Sequence, residues 1–298
     1  MWFRGNLHCH TNNSDGDSPP SVVAKFYKDA GFHFLAISDH NHLTQPSEAG
    51  ELGPDFLLLP ASEYTAKVGE VDAHLNGIAL SQPFVLGPSA SVTQCLQSGV
   101  DQALAQGALA MINHPNWRWS FGASEIAGVK GAHLFELYNG AHDSNNQGSP
   151  TRAGTEAIWD TLLSKGIKIW GAATDDCHRF ARPFHPMHDL PCSGWCVVEA
   201  ESLSQAHVIA ALRSGRFYAT NRVELESWSF EDRSVRLWIK PEGKMEYVTN
   251  FIGQGGKILS RQEGLAVSYA MQGNEGYLRA RIDDSSGHSA WIQPRWVS

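Results

Sequence analysis

Basic residues are scarce in this chain: Lys and Arg number 23 against 31 Asp and Glu, for a formal net charge of -8 over 298 residues. That balance excludes a surface built to grip long nucleic acid through many phosphates. A small anionic substrate stays open, because bound metal ions would reverse the local field. Long hydrophobic runs are also missing, so no membrane-spanning helix is expected. The opening Met1-Trp2-Phe3-Arg4-Gly5-Asn6-Leu7 lacks the apolar stretch of a secretory signal, and the expected location is cytoplasmic. Cysteines are few and odd in number, at 9, 95, 177, 192 and 196, which does not make a disulfide framework. Cys192 and Cys196 could form half a zinc site, but no second pair exists to complete it. The remaining composition, 42% hydrophobic and 18% charged, is that of an ordinary globular protein with a substantial core.

What the chain does have is histidine and carboxylate in short polar phrases. The first is His8-Cys9-His10, followed by Asp15 in the adjoining loop. Side chains alternate faces along an extended segment, so His8 and His10 point the same way and both imidazoles can reach one ion. Further phrases are Ser38-Asp39-His40-Asn41, Ser62-Glu63-Tyr64, His74-Leu75-Asn76-Gly77, Asn113-His114-Pro115 and Asp175-Asp176-Cys177-His178. Each stands beside a strand-like apolar run.

Those runs are 34–37, 56–59, 108–112, 133–137 and 167–170, all read as buried strands. Helices are expected between them. The first has Ser18 as N-cap, Pro19 near its first position and Gly31 as its stop; others cover 92–106, 155–164 and 204–214. Alternating strands and helices predict a parallel sheet with crossover connections, whose loops converge at the strands' C-terminal ends. His74 departs from this pattern, since 72–78 reads as the return arm of a hairpin following Glu63. After about residue 219 the texture changes to alternating strands such as 235–239 and 278–282, punctuated by glycine, which predicts a small antiparallel β domain. The expected division is therefore 1–218 and 219–298.

At these phrases the chain resembles the PHP superfamily, the polymerase and histidinol phosphatase hydrolases, over about residues 5 to 180. The resemblance implies an α/β fold, a distorted (β/α)7 barrel, holding two or three divalent ions. It implies that His8 and His10 share one ion with Glu63 and Asp176, that Glu63 bridges to a second held by His74 and His114, and that Asp15, His40 and His178 bind a third. The longer phrases at 112–117, 135–140, 159–163 and 174–178, with the closing Ser289-Ala290-Trp291-Ile292-Gln293-Pro294, are similar to the carbaryl-hydrolase-like branch. Members of that branch are usually assigned as phosphoesterases, although the namesake cleaves an aryl carbamate.

Imidazole and carboxylate donors suit zinc, manganese or iron. A carboxylate such as Glu63 can bridge two ions about 3.5–4 Å apart, which generate a bridging hydroxide near neutral pH and clamp the substrate's oxygens. The expected activity is hydrolysis of a small phosphomono- or phosphodiester, nucleotides included, with Glu63, Asp176, His178 and Arg179 as the catalytic set. The alternatives are a carbamate or carboxylic ester hydrolase using the same ions, and a non-catalytic metal-holding binding module. Arg152 and Arg179 are candidates for a substrate phosphate, Asn139 and His142 for substrate contacts, and Trp117 for the floor of an aromatic pocket. Asp39 and Asp175 are read as carboxylates that orient metal-bound histidines. His185 and His188 offer two more imidazoles, with Pro186 between them opposing helical placement.

Overall fold

The computed structural model describes residues 1–296 apart from positions 186 and 232. The chain runs β1 (Trp2–Asn6), α1 (Pro20–Asp29), β2 (Phe34–Ile37), β3 (Leu57–Val68), β4 (Val71–Ile78), α2 (Val92–Ala105), β5 (Leu109–Ile112), α3 (Ala123–Ala127), β6 (Leu134–Asn139), α4 (Thr155–Ser164) and β7 (Trp170–Thr174). It continues through β8 (Trp195–Glu199), α5 (Gln205–Arg213), β9 (Phe217–Thr220), β10 (Leu225–Glu231), β11 (Ser234–Ile239), β12 (Tyr247–Gly253), β13 (Lys257–Glu263), β14 (Ala266–Ala270), β15 (Tyr277–Asp284) and β16 (Ser289–Trp296).

β2 and β5 are buried at every position, as their unbroken apolar sequences require: a strand covered on both faces has no polar alternation. β11 instead alternates buried and exposed residues, the pattern of a strand with one wet face. Thirteen strands form one sheet in the order β13-β12-β15-β16-β9-β8-β1-β2-β3-β4-β5-β6-β7, and β10-β11-β14 form a second. β1, β2 and β3 run parallel, as do β5, β6 and β7. β3 and β4 make the antiparallel hairpin expected around His74, with Thr65 opposite His74.

A closed ring of seven strands is not among these pairings; the large sheet has two ends, β13 and β7. A parallel bridge between Cys9 and Cys177 nevertheless sets the chain just beyond β1 beside the chain just beyond β7. The sheet thus curls until those two extensions meet, at the end where the polar phrases lie. The expected boundary at 218/219 falls inside β9, which pairs with both β8 and β16.

Two expected elements are displaced. α1 starts one residue late: Pro19 is extended (φ -70°, ψ 157°) at the cap and Pro20 opens the helix. A residue preceding proline is pushed out of the helical region, which is what Pro20 does to Pro19. Ser18 donates its hydroxyl to Asp17 instead of capping. β7 lies over 170–174 and not 167–170. Its Gly-Ala-Ala centre has no bulky apolar signature because space is lacking: a Cβ on Gly171 would meet Leu137 at 2.8 Å and Trp159 at 3.0 Å.

Candidate metal centre

The nine residues expected to act as ligands converge, and the curled sheet is what brings them together. Beyond β1 the chain stays extended, with Ser38 N–H donating to the Cys9 carbonyl and His10 N–H to that of Cys177. His8 and His10 face one side while Cys9 is buried in the apolar core. Asp176 enters from the opposite flank on a left-handed residue (φ 51°). That sharp turn lets two consecutive aspartates serve different neighbourhoods.

At the centre, His8 Nε2 and His10 Nε2 are 3.2 Å apart. Each lies 3.3 Å from Glu63 Oε2 and 3.1 Å from Asp176 Oδ1. Four donors around an ion at about 2.0–2.1 Å would stand roughly 3.3 Å from one another in a tetrahedron. Five of its six edges are therefore present at close to that length. Asp176 Oδ1 and His74 Nε2 are buried without hydrogen-bond partners, the condition expected of atoms reserved for an ion.

Glu63 divides its two oxygens. Oε2 faces His8, His10 and His40 Nδ1 (3.1 Å), while Oε1 lies 2.9 Å from His74 Nδ1 and 3.2 Å from His114 Nε2. Asn113 donates to the same Oε1 at 2.8 Å. This placement suits a bridge between two positions. A further group joins Asp15, His40 and His178 with His10. His178 Nδ1 donates to the Asp176 carbonyl at 2.8 Å, which leaves its Nε2 facing Asp15 Oδ1 at 3.3 Å.

Glu136 is the important residue not singled out from the sequence. It is wholly buried in β6 and accepts from His8 Nδ1 (2.8 Å), Thr174 Oγ1 (2.5 Å), the His114 backbone N–H (2.7 Å) and Asn139 Nδ2 (3.1 Å). A carboxylate on Nδ1 fixes the tautomer that turns the Nε2 lone pair toward an ion. The signal was an acid in the middle of the apolar run Leu134-Phe135-Glu136-Leu137.

That orienting role had been expected of Asp39 and Asp175, and neither touches a histidine ring. Asp39 accepts from Thr11 N–H and hydroxyl, Ser14 and Thr44, knitting the loop that carries Asp15. Asp175 accepts from Asn6, Tyr27 and the Cys192 N–H; burial pushes its carboxyl up to about 7 against those donors.

Electrostatics reinforce the convergence. Burial opposes charge on Glu63 and Asp176, yet His8 and its neighbours hold both carboxyls well below the ordinary range. Burial likewise opposes protonation of His10, but Asp176 and Glu63 raise it to about 9. His8 and His114 are raised for the same reason. His40 is lowered by its burial. Among the described residues no Lys or Arg side chain pairs with Glu63, Glu136, Asp176 or Asp15. The cluster is thus a concentration of carboxylates answered only by imidazoles, which suits divalent cations.

The expected substrate contacts fare unevenly. Trp117 walls the site, its ring centroid 5.1 Å from that of His74 and 5.7 Å from that of His114, with Nε1 tied to Asp143 at 2.8 Å. Arg179 stands at the Asp15 edge, one Nη donating to the Asp15 carbonyl at 3.1 Å. Arg152 is exposed and donates to the Trp119 carbonyl. Asn139 is buried, and its amide donates to Glu136 and to Asp176 Oδ2 (3.0 Å), which restrains both carboxylates. His142 turns outward to Asp189 at 2.8 Å. His185 and His188 lie with ring centroids 4.7 Å apart and planes tilted by 40°; Pro186 lies outside the described residues. No described helix is long and apolar enough to cross a membrane.

No protein-family model matches the chain, and no curated protein matches its sequence. In structure it is similar to an amidohydrolase from Chromobacterium violaceum at 14% identity, over 72% of this chain and 96% of that one, with a TM-score of 0.46. It is also similar to a two-domain protein from Bacteroides vulgatus containing a predicted PHP-like metal-dependent phosphoesterase, at 16% identity, with a TM-score of 0.53. That likeness covers 98% of this chain and 95% of the other, so what the two share is a fold that extends from end to end.

Proposed function

We propose that the chain is a metal-dependent hydrolase of the PHP superfamily that cleaves small phosphomono- or phosphodiesters, nucleotides included. The observation that carries this reading is the set of four buried donors, His8, His10, Glu63 and Asp176, five of whose six mutual separations are 3.1–3.3 Å, with Asp176 Oδ1 lacking a hydrogen-bond partner. Zinc, manganese or iron ions, two or three in number, would be held there and by His74, His114, Asp15, His40 and His178. They would supply an activated water and polarise the ester.

The chain's own groups do the rest. Glu136 and Thr174 lock the His8 ring, and Asn139 and Asn113 restrain the two central carboxylates. Arg179 has donors beyond the one given to Asp15, and these suit a phosphoryl oxygen at the mouth. The proposed catalytic unit is 1–218, with 219–298 as an appendage that packs against it.

A second reading, hydrolysis of a carbamate or carboxylic ester, is favoured by the Trp117 ring beside His74 and His114, which offers an apolar wall to a neutral aryl group. The similarity of motif phrases to the carbaryl-hydrolase-like branch points the same way. The experiment is turnover of matched aryl phosphomonoester, phosphodiester and N-methylcarbamate by protein loaded separately with manganese and zinc. Preference for a phosphate ester, lost in Asp176→Asn, supports the first reading. Preference for the carbamate replaces it with the second, and silence with metal bound points to a binding module.

A further inference from the structure

A sizeable cavity lies away from the candidate metal cluster. It has a volume of about 650 Å³ and opens between the segment leading into β8 and the turns that follow β9 and β11. That size suits a small organic molecule. Three cations line it, Arg4, Arg222 and Lys240, against two carboxylates, Glu224 and Glu242. Arg222 pairs with Glu242 at 2.6 Å and Lys240 with Glu224 at 2.8 Å. Both carboxylates are thereby answered, and one positive charge is left over.

That charge is Arg4. Its guanidinium is stacked 3.8 Å from the Trp195 ring centroid and 4.3 Å from that of Phe32. Its Nε is buried without a partner, and so are two other groups lining the cavity, Trp195 Nε1 and Ser193 Oγ. Trp195 itself is only 4% exposed. Burial holds the Arg4 guanidinium below its ordinary value, offset in part by Cys192 and Glu224. Unpaired buried donors of this kind are costly unless something accepts from them. One side of the rim is apolar: Phe184 and Leu190, two of the larger exposed hydrophobic side chains, both line it.

We propose that this cavity is a second ligand site, taking a small organic monoanion whose carboxylate meets Arg4 and whose apolar body lies against Phe184, Leu190 and Trp195. One unanswered guanidinium sets the charge, and the aromatic and aliphatic rim selects an organic acid over a bare inorganic ion. The site is independent of the reading given to the metal cluster, since its lining includes none of the proposed ligands.

The test is calorimetric titration of the full metal-loaded chain with benzoate and, separately, with inorganic phosphate. Benzoate is expected to bind at one saturable site, at least tenfold more weakly in Arg4→Met and also in Leu190→Asp, which changes an exposed rim residue and spares the core. A His114→Ala variant should bind benzoate as before. No benzoate binding, binding indifferent to both Arg4→Met and Leu190→Asp, or binding lost in His114→Ala would each overturn the proposal. Phosphate binding as tightly as benzoate, and depending on Arg4, would overturn the organic-acid assignment.

Discussion

Two clusters of buried charge lie in this molecule, and they are built on opposite principles. Between α4 and β15, Arg279 forms a bidentate contact with Asp160 (2.7 and 2.6 Å) and an ion pair with Glu156 at 2.8 Å. Arg281 reaches Glu156 at 2.9 Å and Asp283 at 2.7 Å, and Tyr277 donates to Asp160 at 2.6 Å. Carboxylate there meets guanidinium, and each carboxylate of the cluster is answered by an arginine of the chain. At the candidate metal centre, carboxylates meet imidazoles whose Nε2 atoms face one another at 3.2 Å, and Asp176 Oδ1, 3.1 Å from two of them, has no hydrogen-bond partner. A cluster answered by guanidinium staples two parts of the fold; one answered by imidazole leaves lone pairs that suit an ion. Burial is common to both, so burial alone does not distinguish a structural site from a functional one.

The sharpest way to break this comparison is at Asp176. Asp176→Asn should lower turnover of whichever aryl ester is hydrolysed by about 10³-fold or more while the folded state persists by circular dichroism, an effect of the order seen when a charge-stabilising donor is lost from an active site. Retained turnover would mean that this cluster is not the reaction centre.

Arg279→Met should do the reverse. Leaving Asp160 buried without its cation, and Glu156 with Arg281 alone, should cost about 3–5 kcal/mol in denaturant unfolding. Metal stoichiometry, measured by elemental analysis of protein that remains folded, should be unchanged. If metal is lost as well, the two clusters are coupled and the contrast fails.

Glu136→Gln should weaken metal binding by about 10–100-fold, because it disturbs the His8 tautomer without removing a proposed ligand. An affinity equal to wild type in competition with a chelator would reduce Glu136 to a packing residue.

The smallest effect is on acid stability. Burial tends to raise the Glu156 carboxyl, but Arg279 and Arg281 hold it below its ordinary 4.5. Its stabilisation is thus present above about pH 4.5, the unfolded value, and is lost as the pH falls through the lower folded value. Unfolding midpoints measured from pH 6 downward should show this loss in the wild type and a shallower one in Arg279→Met.

Much of the site could be read in one dimension because its residues carry local signals. His8 and His10 share a face through the two-residue period of an extended chain, and Glu63, His114 and Asp176 each stand beside an apolar run. The β3–β4 hairpin that returns His74 was equally visible. Other features left no such trace. β7 was misplaced because its small residues answer to Leu137 and Trp159, which are distant in sequence. Asp39 and Asp175 resemble Glu136 as neighbours of ligand phrases, yet only Glu136 reaches an imidazole.

The amino-acid sequence by itself determined the chemistry available, a set of histidines and carboxylates on extended segments in an acidic chain, since residue type and period-two alternation are local properties. Tertiary structure alone decided which carboxylate orients which ring, that the sheet curls to bring Cys9 beside Cys177, and that Arg4 is left without a counter-charge. Those outcomes depend on which distant side chains share a buried space, and that is settled only when the chain packs against itself.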